Sequence, residues 1–202
     1  MVAARRREPS GRMTKEARRE QLLDTAGQLL LKEGWDALTM ESIAQSAGAS
    51  KTLGYAYFTN LDDLIWSLYD REVGLLFERV EAGLATADTF DDRIRAAVAA
   101  YFDSVAERGA MLVRLQAGIV ARRLGRDRPN RGMGFLETLA DIIRDEFGLS
   151  RRRAMAYAAV MAGIADSHGR VWGTGTLGRA ELEESCVCFM LAGVRDAVAA
   201  RA

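Results

Sequence analysis

Residues 39–58 constrain the fold more than any other part of this sequence. They hold two short helical patterns, one capped by Thr39 and one by Ser50, which meet at a tight corner around Gly48. Ile43 in the first pattern is placed to brace the second, and this spacing is typical of a helix-turn-helix. The second helix would then present one face that the major groove of double-stranded DNA is wide enough to admit.

The rest of the chain continues in helical periods, and no segment alternates as a half-buried strand would. Caps and breaks predict helices between Thr14 and Gly34 and at about 39–47, 50–58, 61–82, 90–108, 110–124, 134–147, 151–172 and 180–200. The prediction is an all-α fold of about nine helices. Its expected parts are a flexible basic arm (1–13), a helix-turn-helix head of three short helices (14–60) and a second helical domain (61–202).

Composition and charge exclude several classes of protein. The 202 residues are 49% hydrophobic and 28% charged, which excludes a long disordered chain. No apolar run reaches the roughly 20 residues that a bilayer requires, so no membrane association is expected. Cys186 and Cys188 are too close for an ordinary disulfide, which favours a reducing, cytoplasmic location. Residues 1–20 hold seven Arg or Lys and three acids, which indicates either a polyanion partner or an ordinary solvated arm.

The second helix of the pair carries hydroxyl groups and a single lysine on its predicted outer face. Lys51, near its start, can reach a base edge or a phosphate, and tyrosine hydroxyls can donate to phosphate oxygens. Cations of the N-terminal arm would add phosphate contacts. The residues expected to contact DNA are Thr39, Ser50, Lys51, Thr52, Leu53, Tyr55, Tyr57, Arg12 and Lys15.

The stretch 14–70 resembles the tetracycline-repressor (TetR) family of bacterial regulators. The agreement consists of Thr14, Lys32-Glu33-Gly34-Trp35, Thr39, Ile43-Ala44, Ala47-Gly48-Ala49-Ser50-Lys51, Tyr55-x-Tyr57-Phe58 and Leu64. The resemblance implies a DNA operator as partner, a homodimer, and a variable C-terminal domain that binds a small-molecule effector and dimerises. It implies a regulator, most simply a repressor that its effector releases from the operator, with neither cofactor nor metal.

Three residues depart from the family pattern. Gly54 stands where the family usually has a leucine, and Trp35 or Met40 is expected to fill the space. Ala56 occupies a position that is often basic, and Leu61 replaces a phosphate-binding lysine. The head is therefore short of phosphate contacts, and the operator is expected to differ from those of well-known relatives.

Two sets of residues in the second domain are candidates for ligand binding and dimerisation. Aromatic and polar side chains could line an effector pocket, although such patterns also occur in plain cores; they are Trp66, Tyr101, Phe102, Gln116, Phe135 and His168. A stripe of small residues and an uncharged run in the last two helices either fill the core or pack against a second copy, which the resemblance favours. The expected interface residues are Ala158, Ala162, Ala165, Gly169, Cys186, Phe189 and Gly193.

The rival interpretation is an enzyme or small-molecule-binding helical protein whose head only resembles a DNA reader. Residues 173–178 match the dinucleotide pattern G-x-G-x-x-G, but a helix rather than a strand is predicted before them. His168 is the only histidine, and no ligand-spaced Cys or acid cluster accompanies it. A buried packing role, an interface role and a ligand contact all stay open for His168.

Overall fold

Eight α-helices form the described part of the chain in this computed structural model. Residues 13–122 and 132–200 are described, with side chains for 13–119 and 133–200, and this part contains no β-strand. The helices are α1 (Lys15–Glu33), α2 (Met40–Ser46), α3 (Lys51–Tyr57), α4 (Leu61–Leu84), α5 (Phe90–Arg122), α6 (Gly132–Phe147), α7 (Arg151–Gly173) and α8 (Arg179–Ala199). The all-α prediction is confirmed, whereas the basic arm lies outside the described residues apart from Met13.

The helix count differs from the expected nine because α5 is continuous. The sequence predicts two helices that meet near Gly109, but α5 runs from Phe90 to Arg122 without a break. A glycine inside a helix costs only about 1 kcal/mol relative to alanine. Phe102 and Leu115 are fully buried on either side of Gly109. Burial of such side chains contributes more free energy than the glycine costs, so the packing of α5 keeps the helix continuous at Gly109.

The contacts divide the chain into two compact units, one that ends at Leu68 and one that begins at Tyr69. The boundary falls within α4, eight residues beyond the boundary expected from the sequence. The first unit packs α1 against α2 and α2 against α3 around fully buried side chains, which include Leu22, Leu23, Leu30, Ile43, Phe58 and Leu64. This core holds the two short helices, which are too short to be stable alone.

The second unit has its own core, built from one face of each helix that it contains. Phe102, Ile143, Ala158 and Cys186 are at most 1% exposed within it. Small residues on α7 permit close approach of its neighbours: a Cβ on Gly169 would collide with the Tyr101 hydroxyl of α5. Among the described residues, no helix has a stretch long and apolar enough to cross a membrane.

Candidate nucleic-acid interface

Side-chain caps and one glycine fix the geometry of α2 and α3. Thr39 and Ser42 form a reciprocal capping box at the start of α2, with both hydrogen bonds 3.0 Å long. Ser50 Oγ accepts from the amide of Leu53 at 3.2 Å and so begins α3. Gly48 lies between the helices at φ +65°, a conformation that side-chain-bearing residues rarely adopt. The corner predicted from the sequence is therefore a helix-turn-helix in the structure.

Gly54 is the residue of α3 that packs directly on α2. Its α-carbon faces inward, and a Cβ built on it would lie 3.3 Å from Met40 Cε and 3.7 Å from Ala44 Cβ. Of the two residues expected to fill the space of the missing leucine, Met40 is the one beside Gly54. The glycine and the methionine are therefore complementary.

Replacing Gly54 by Ala is expected to raise the free energy of unfolding by about 0.5–1 kcal/mol. Alanine removes the entropic cost of a helical glycine, and the flexible end of Met40 need move only slightly. Chemical denaturation of the two proteins measures the difference. Leucine at position 54 is expected to destabilise the head unless Met40 is shortened to Ala, because both side chains would occupy one space. A loss of stability in Gly54→Ala would show that Met40 cannot give way.

The solvent-exposed side of α3 carries most of the residues expected to contact DNA. Lys51, Thr52 and Tyr55 are exposed, and Tyr55 keeps 49% of its surface in solvent. Leu53 and Tyr57 are half-buried. Thr39 and Ser50 are exposed, but their hydroxyls act as helix caps. Exposed Lys15 begins α1, and Arg12 lies outside the described residues.

Lys51 is held by an acid that the sequence analysis missed. Its Nζ lies 3.3 Å from Oε2 of Glu41 on α2, and both side chains are exposed. Ten residues separate them along the chain, so no helical spacing rule connects them. The sequence shows only that Glu41 is an acid in the first turn of a capped helix. An acid is favourable there without any partner, so its position does not indicate the pair with Lys51.

The start of α4 is acidic and closed by its own side chains. Asn60 Oδ1 accepts from the amide of Asp63 at 2.8 Å, and Asp63 Oδ2 accepts from the amide of Thr59 at 3.0 Å. Asp62 is exposed in the same turn. Nearby, Arg19 of α1 lies over the Phe58 ring at 5.2 Å. The cation that the family usually has at position 61 is thus replaced by a carboxylate-rich turn.

The structure brings only some of the expected ligand residues together. Tyr101 and Phe102 pack edge to face at 5.7 Å, and Phe102 lies 5.5 Å from the Trp172 ring. Burial raises the pKa of Tyr101, and the charge of Asp166 adds to the effect. Phe135 instead stacks on Phe77, with ring centroids 5.0 Å apart.

The other expected ligand residues lie elsewhere. Gln116 is exposed, and half-buried Trp66 belongs to the unit that ends at Leu68. His168 is half-buried, with Nδ1 2.8 Å from the Ile164 carbonyl and its ring 5.9 Å from Phe189. A surface cleft of about 430 Å³ lies between the start of α5 and the second half of α6, where Phe90, Arg93 and Ile142 line it, and none of the expected ligand residues does.

The stripe of small residues expected at a dimer interface faces the chain's own core instead. Ala158 and Cys186 are 0% exposed, Gly169 packs on Tyr101, and Ala162 and Ala165 pack against the same core. The small side chains bring α5, α7 and α8 of one chain together, which is the core-packing role that the sequence left open beside the interface role. Burial also raises the pKa of Cys186 to about 12, which keeps that thiol protonated.

A different apolar surface is exposed on the last two helices. We call it the outer face; its exposed residues are Ala156, Val160 and Gly163 of α7, and Cys188, Phe189, Ala192 and Gly193 of α8. Val160 and Phe189 keep 61% and 63% of their surface in solvent. Phe189 and Gly193 were expected at an interface from the sequence, whereas Val160 was missed. Its signal was a β-branched apolar residue on the side of α7 opposite the alanine stripe.

A capped helix pair with an outward polar face, carried by an all-helical chain, defines a DNA-binding regulator of the helix-turn-helix class. Residues 22–67 match the sequence model of the family described as bacterial regulatory proteins, tetR family. Residues 22–67 therefore form a DNA-binding domain of the TetR family, and the chain is a DNA-binding transcriptional regulator. The resemblance stated from the sequence is confirmed.

Two regulators are similar to the chain in sequence. The HTH-type transcriptional activator FasR of Mycolicibacterium smegmatis is 28% identical over 163 residues, which cover 80% of this chain and 74% of the relative. The fatty acid metabolism regulator protein of Bacillus subtilis is 26% identical over 86 residues, which cover 43% of this chain and 44% of that protein.

Solved structures share the fold. The fatty acid degradation regulator FadR of Bacillus halodurans superposes with a TM-score of 0.67 at 18% identity, over 88% of this chain and 96% of that one. A transcriptional regulator of Pseudomonas aeruginosa PAO1 gives a TM-score of 0.76 at 17% identity, over 93% of this chain and 95% of that one.

Proposed function

We propose that the protein is a homodimeric, effector-responsive regulator that reads a two-part DNA operator with α3 of each copy. The observation that carries the proposal is that Lys51, Thr52 and Tyr55 are exposed on α3. This helix packs through Gly54 against Met40 of α2. Two-fold symmetric regulators of this class bind half-sites about one helical turn apart. In its simplest form the protein is a repressor that acts in the cytoplasm, where a bacterial operator is found.

The outer face supports the dimer. Aromatic and β-branched side chains that stay exposed on neighbouring helices typically mark an interaction surface. Gly163 and Gly193 lie on the same face and permit close approach of a partner helix. A second copy related by a two-fold axis would cover this face with the identical face of its partner and fix the distance between the two heads.

The effector we propose is a fatty acid or its thioester. The support comes from a sequence relative that is named a fatty acid metabolism regulator protein, and a fatty acid degradation regulator shares the fold. The aromatic cluster of Tyr101, Phe102 and Trp172 is the apolar region that we propose for contact with the acyl chain. Effector and DNA bind different conformers in the repressor form, so the effector weakens operator binding. By linkage, operator DNA must then weaken effector binding by the same factor.

No catalytic step belongs to this proposal. His168 uses Nδ1 at the Ile164 carbonyl and lies beside an aromatic ring. Among the described residues, no group of three or more His, Cys, Asp or Glu is arranged to hold a metal ion. Gly173, the first glycine of the glycine-rich pattern, is the last residue of α7, so the pattern follows a helix rather than the strand that dinucleotide binding requires.

Lys51→Ala and Tyr55→Ala are each expected to weaken operator binding by about 1–3 kcal/mol, the usual worth of a specific contact. The operator is first selected from a pool of random duplexes, and affinities are measured by fluorescence anisotropy at fixed salt. Lys32→Ala is the matched control, since Lys32 is an exposed lysine at the end of α1. If both α3 variants bind as the wild type does, α3 is not the reading helix.

The effector class is tested on the same complex with palmitic acid and palmitoyl-coenzyme A. Release of operator DNA at micromolar effector supports the repressor form. Tighter operator binding would support an activator, the role named for FasR. If neither compound changes the affinity, the fatty-acid proposal is wrong while the DNA-binding proposal stands.

A further inference from the structure

The two helices of the helix-turn-helix carry one cation and one anion, and these two groups bind each other. Glu41 is the only charged residue of α2, and Lys51 is the only charged residue of α3. Their charged atoms lie 3.3 Å apart on the solvent side of the pair. The DNA-facing helices therefore have no net charge with which to attract a phosphate backbone.

The sequence around these two helices carries more acids than cations. Between Thr39 and Asp70 the only cation is Lys51, whereas four acids are present, Glu41, Asp62, Asp63 and Asp70. Affinity of proteins for DNA of any sequence comes mainly from cations that neutralise phosphates. This part of the head offers one such cation, and a carboxylate already accompanies it.

Glu41 acts differently on the two targets that Lys51 can reach. A phosphate carries a full negative charge, so a phosphate bound to Lys51 would be repelled by the carboxylate that also contacts the ammonium group. The guanine edge is neutral overall and offers O6 and N7 as acceptors. A lysine ammonium has three donors, so one can stay with Glu41 while others bind a base. The ion pair thus disfavours phosphate contacts more than base contacts.

We propose that Glu41 is a specificity-determining residue that holds Lys51 away from phosphates and directs it to a base edge. The inference rests on the proposed DNA-binding function and adds the residue that sets the ratio of specific to nonspecific binding. Glu41 is a positioning residue here, since it acts through Lys51.

The test compares wild type, Glu41→Gln, Lys51→Ala and the double variant on the selected operator and on a random duplex of equal length. Fluorescence anisotropy over a series of salt concentrations gives affinities and their salt dependence. Glu41→Gln is expected to raise affinity for the random duplex about threefold to tenfold at 0.1 M salt. The plot of log affinity against log salt should steepen by about 0.9, the value for one additional phosphate contact. Operator affinity should change less, so the specificity ratio falls.

Two controls separate this mechanism from simpler ones. In the Lys51→Ala background Glu41→Gln should have no effect on random DNA; a persistent effect would overturn the role of Lys51. Glu33→Gln makes the same change of charge at the exposed end of α1. An equal gain in that variant would show that net charge alone is responsible and would overturn the proposal. If the wild type selects no operator and binds no duplex, the proposed function itself has failed. Unchanged random-duplex affinity in Glu41→Gln overturns only the role of Glu41.

Discussion

Replacing Val160 by Glu is expected to convert a dimer into a monomer that no longer binds operator. Val160 keeps 61% of its surface in solvent within one chain, so the glutamate is hydrated and the fold of that chain is preserved. In a dimer formed through the outer face, the same carboxylate would be buried without a partner, at a cost of several kcal/mol. Sedimentation at micromolar concentration measures the assembly, and anisotropy with operator DNA measures the consequence.

Val113→Glu is the matched control for this experiment. Val113 is the same residue type with the same 61% exposure, but it lies on α5, away from the outer face. We expect that variant to stay dimeric and to bind operator. Phe189→Glu should behave as Val160→Glu does, whereas Leu191 is buried in the core and a charge there would unfold the chain instead. A wild-type monomer, or a dimeric Val160→Glu variant, would contradict the proposed interface.

Replacing Glu72 by Gln is expected to lower the free energy of unfolding by about 2–4 kcal/mol. The Glu72 carboxylate is 3% exposed and accepts from Arg71 at 2.9 Å and from Arg108 at 2.7 Å. It therefore fastens α4 to α5 from within the protein. A glutamine keeps the shape but directs an amide N–H group at guanidinium donors, and removal of one member of a buried ion pair is strongly destabilising. The partial exposure of Arg108 lowers the expected loss somewhat below the roughly 3–5 kcal/mol that is usual for a buried pair.

Glu107→Gln provides the comparison on the surface of the same two helices. Glu107 of α5 pairs with Arg79 of α4 at 3.0 Å, but both side chains are exposed. Solvent-exposed pairs contribute at most about 1 kcal/mol, so this variant should be close to wild type. Chemical denaturation of the three proteins gives the difference. Equal stabilities for Glu72→Gln and Glu107→Gln would show that burial of Glu72 adds nothing.

The head could be predicted closely because its determinants are local. The side chains of Thr39 and Ser50 cap amides only three residues away, and Gly48 makes the turn through its positive φ, so each adopts the role expected from its type. The space left by Gly54 was also assigned in part, since Met40 lies on the adjoining helix face. The Glu41–Lys51 pair could not be read in this way, because it depends on the angle at which the two helices meet.

The sequence predicted that the second unit is helical, but it did not predict which faces of its helices are buried. Helical periodicity determined that its segments are helices, but it left open whether the small-residue stripe of α7 fills the core of its own chain or packs against a second copy. Tertiary structure decided between them: the small residues let Tyr101 approach Gly169, which buries the alanine stripe and leaves Val160 outside. The same holds for α5, where burial on both sides of Gly109 maintains one helix across a residue with low intrinsic helix propensity. The sequence by itself therefore determined that the segments are helical, the position of the corner and the resemblance to the TetR family, because these depend on neighbours along the chain. Which faces are buried and which ions pair was decided by packing between distant segments, whose free energies exceed local preferences.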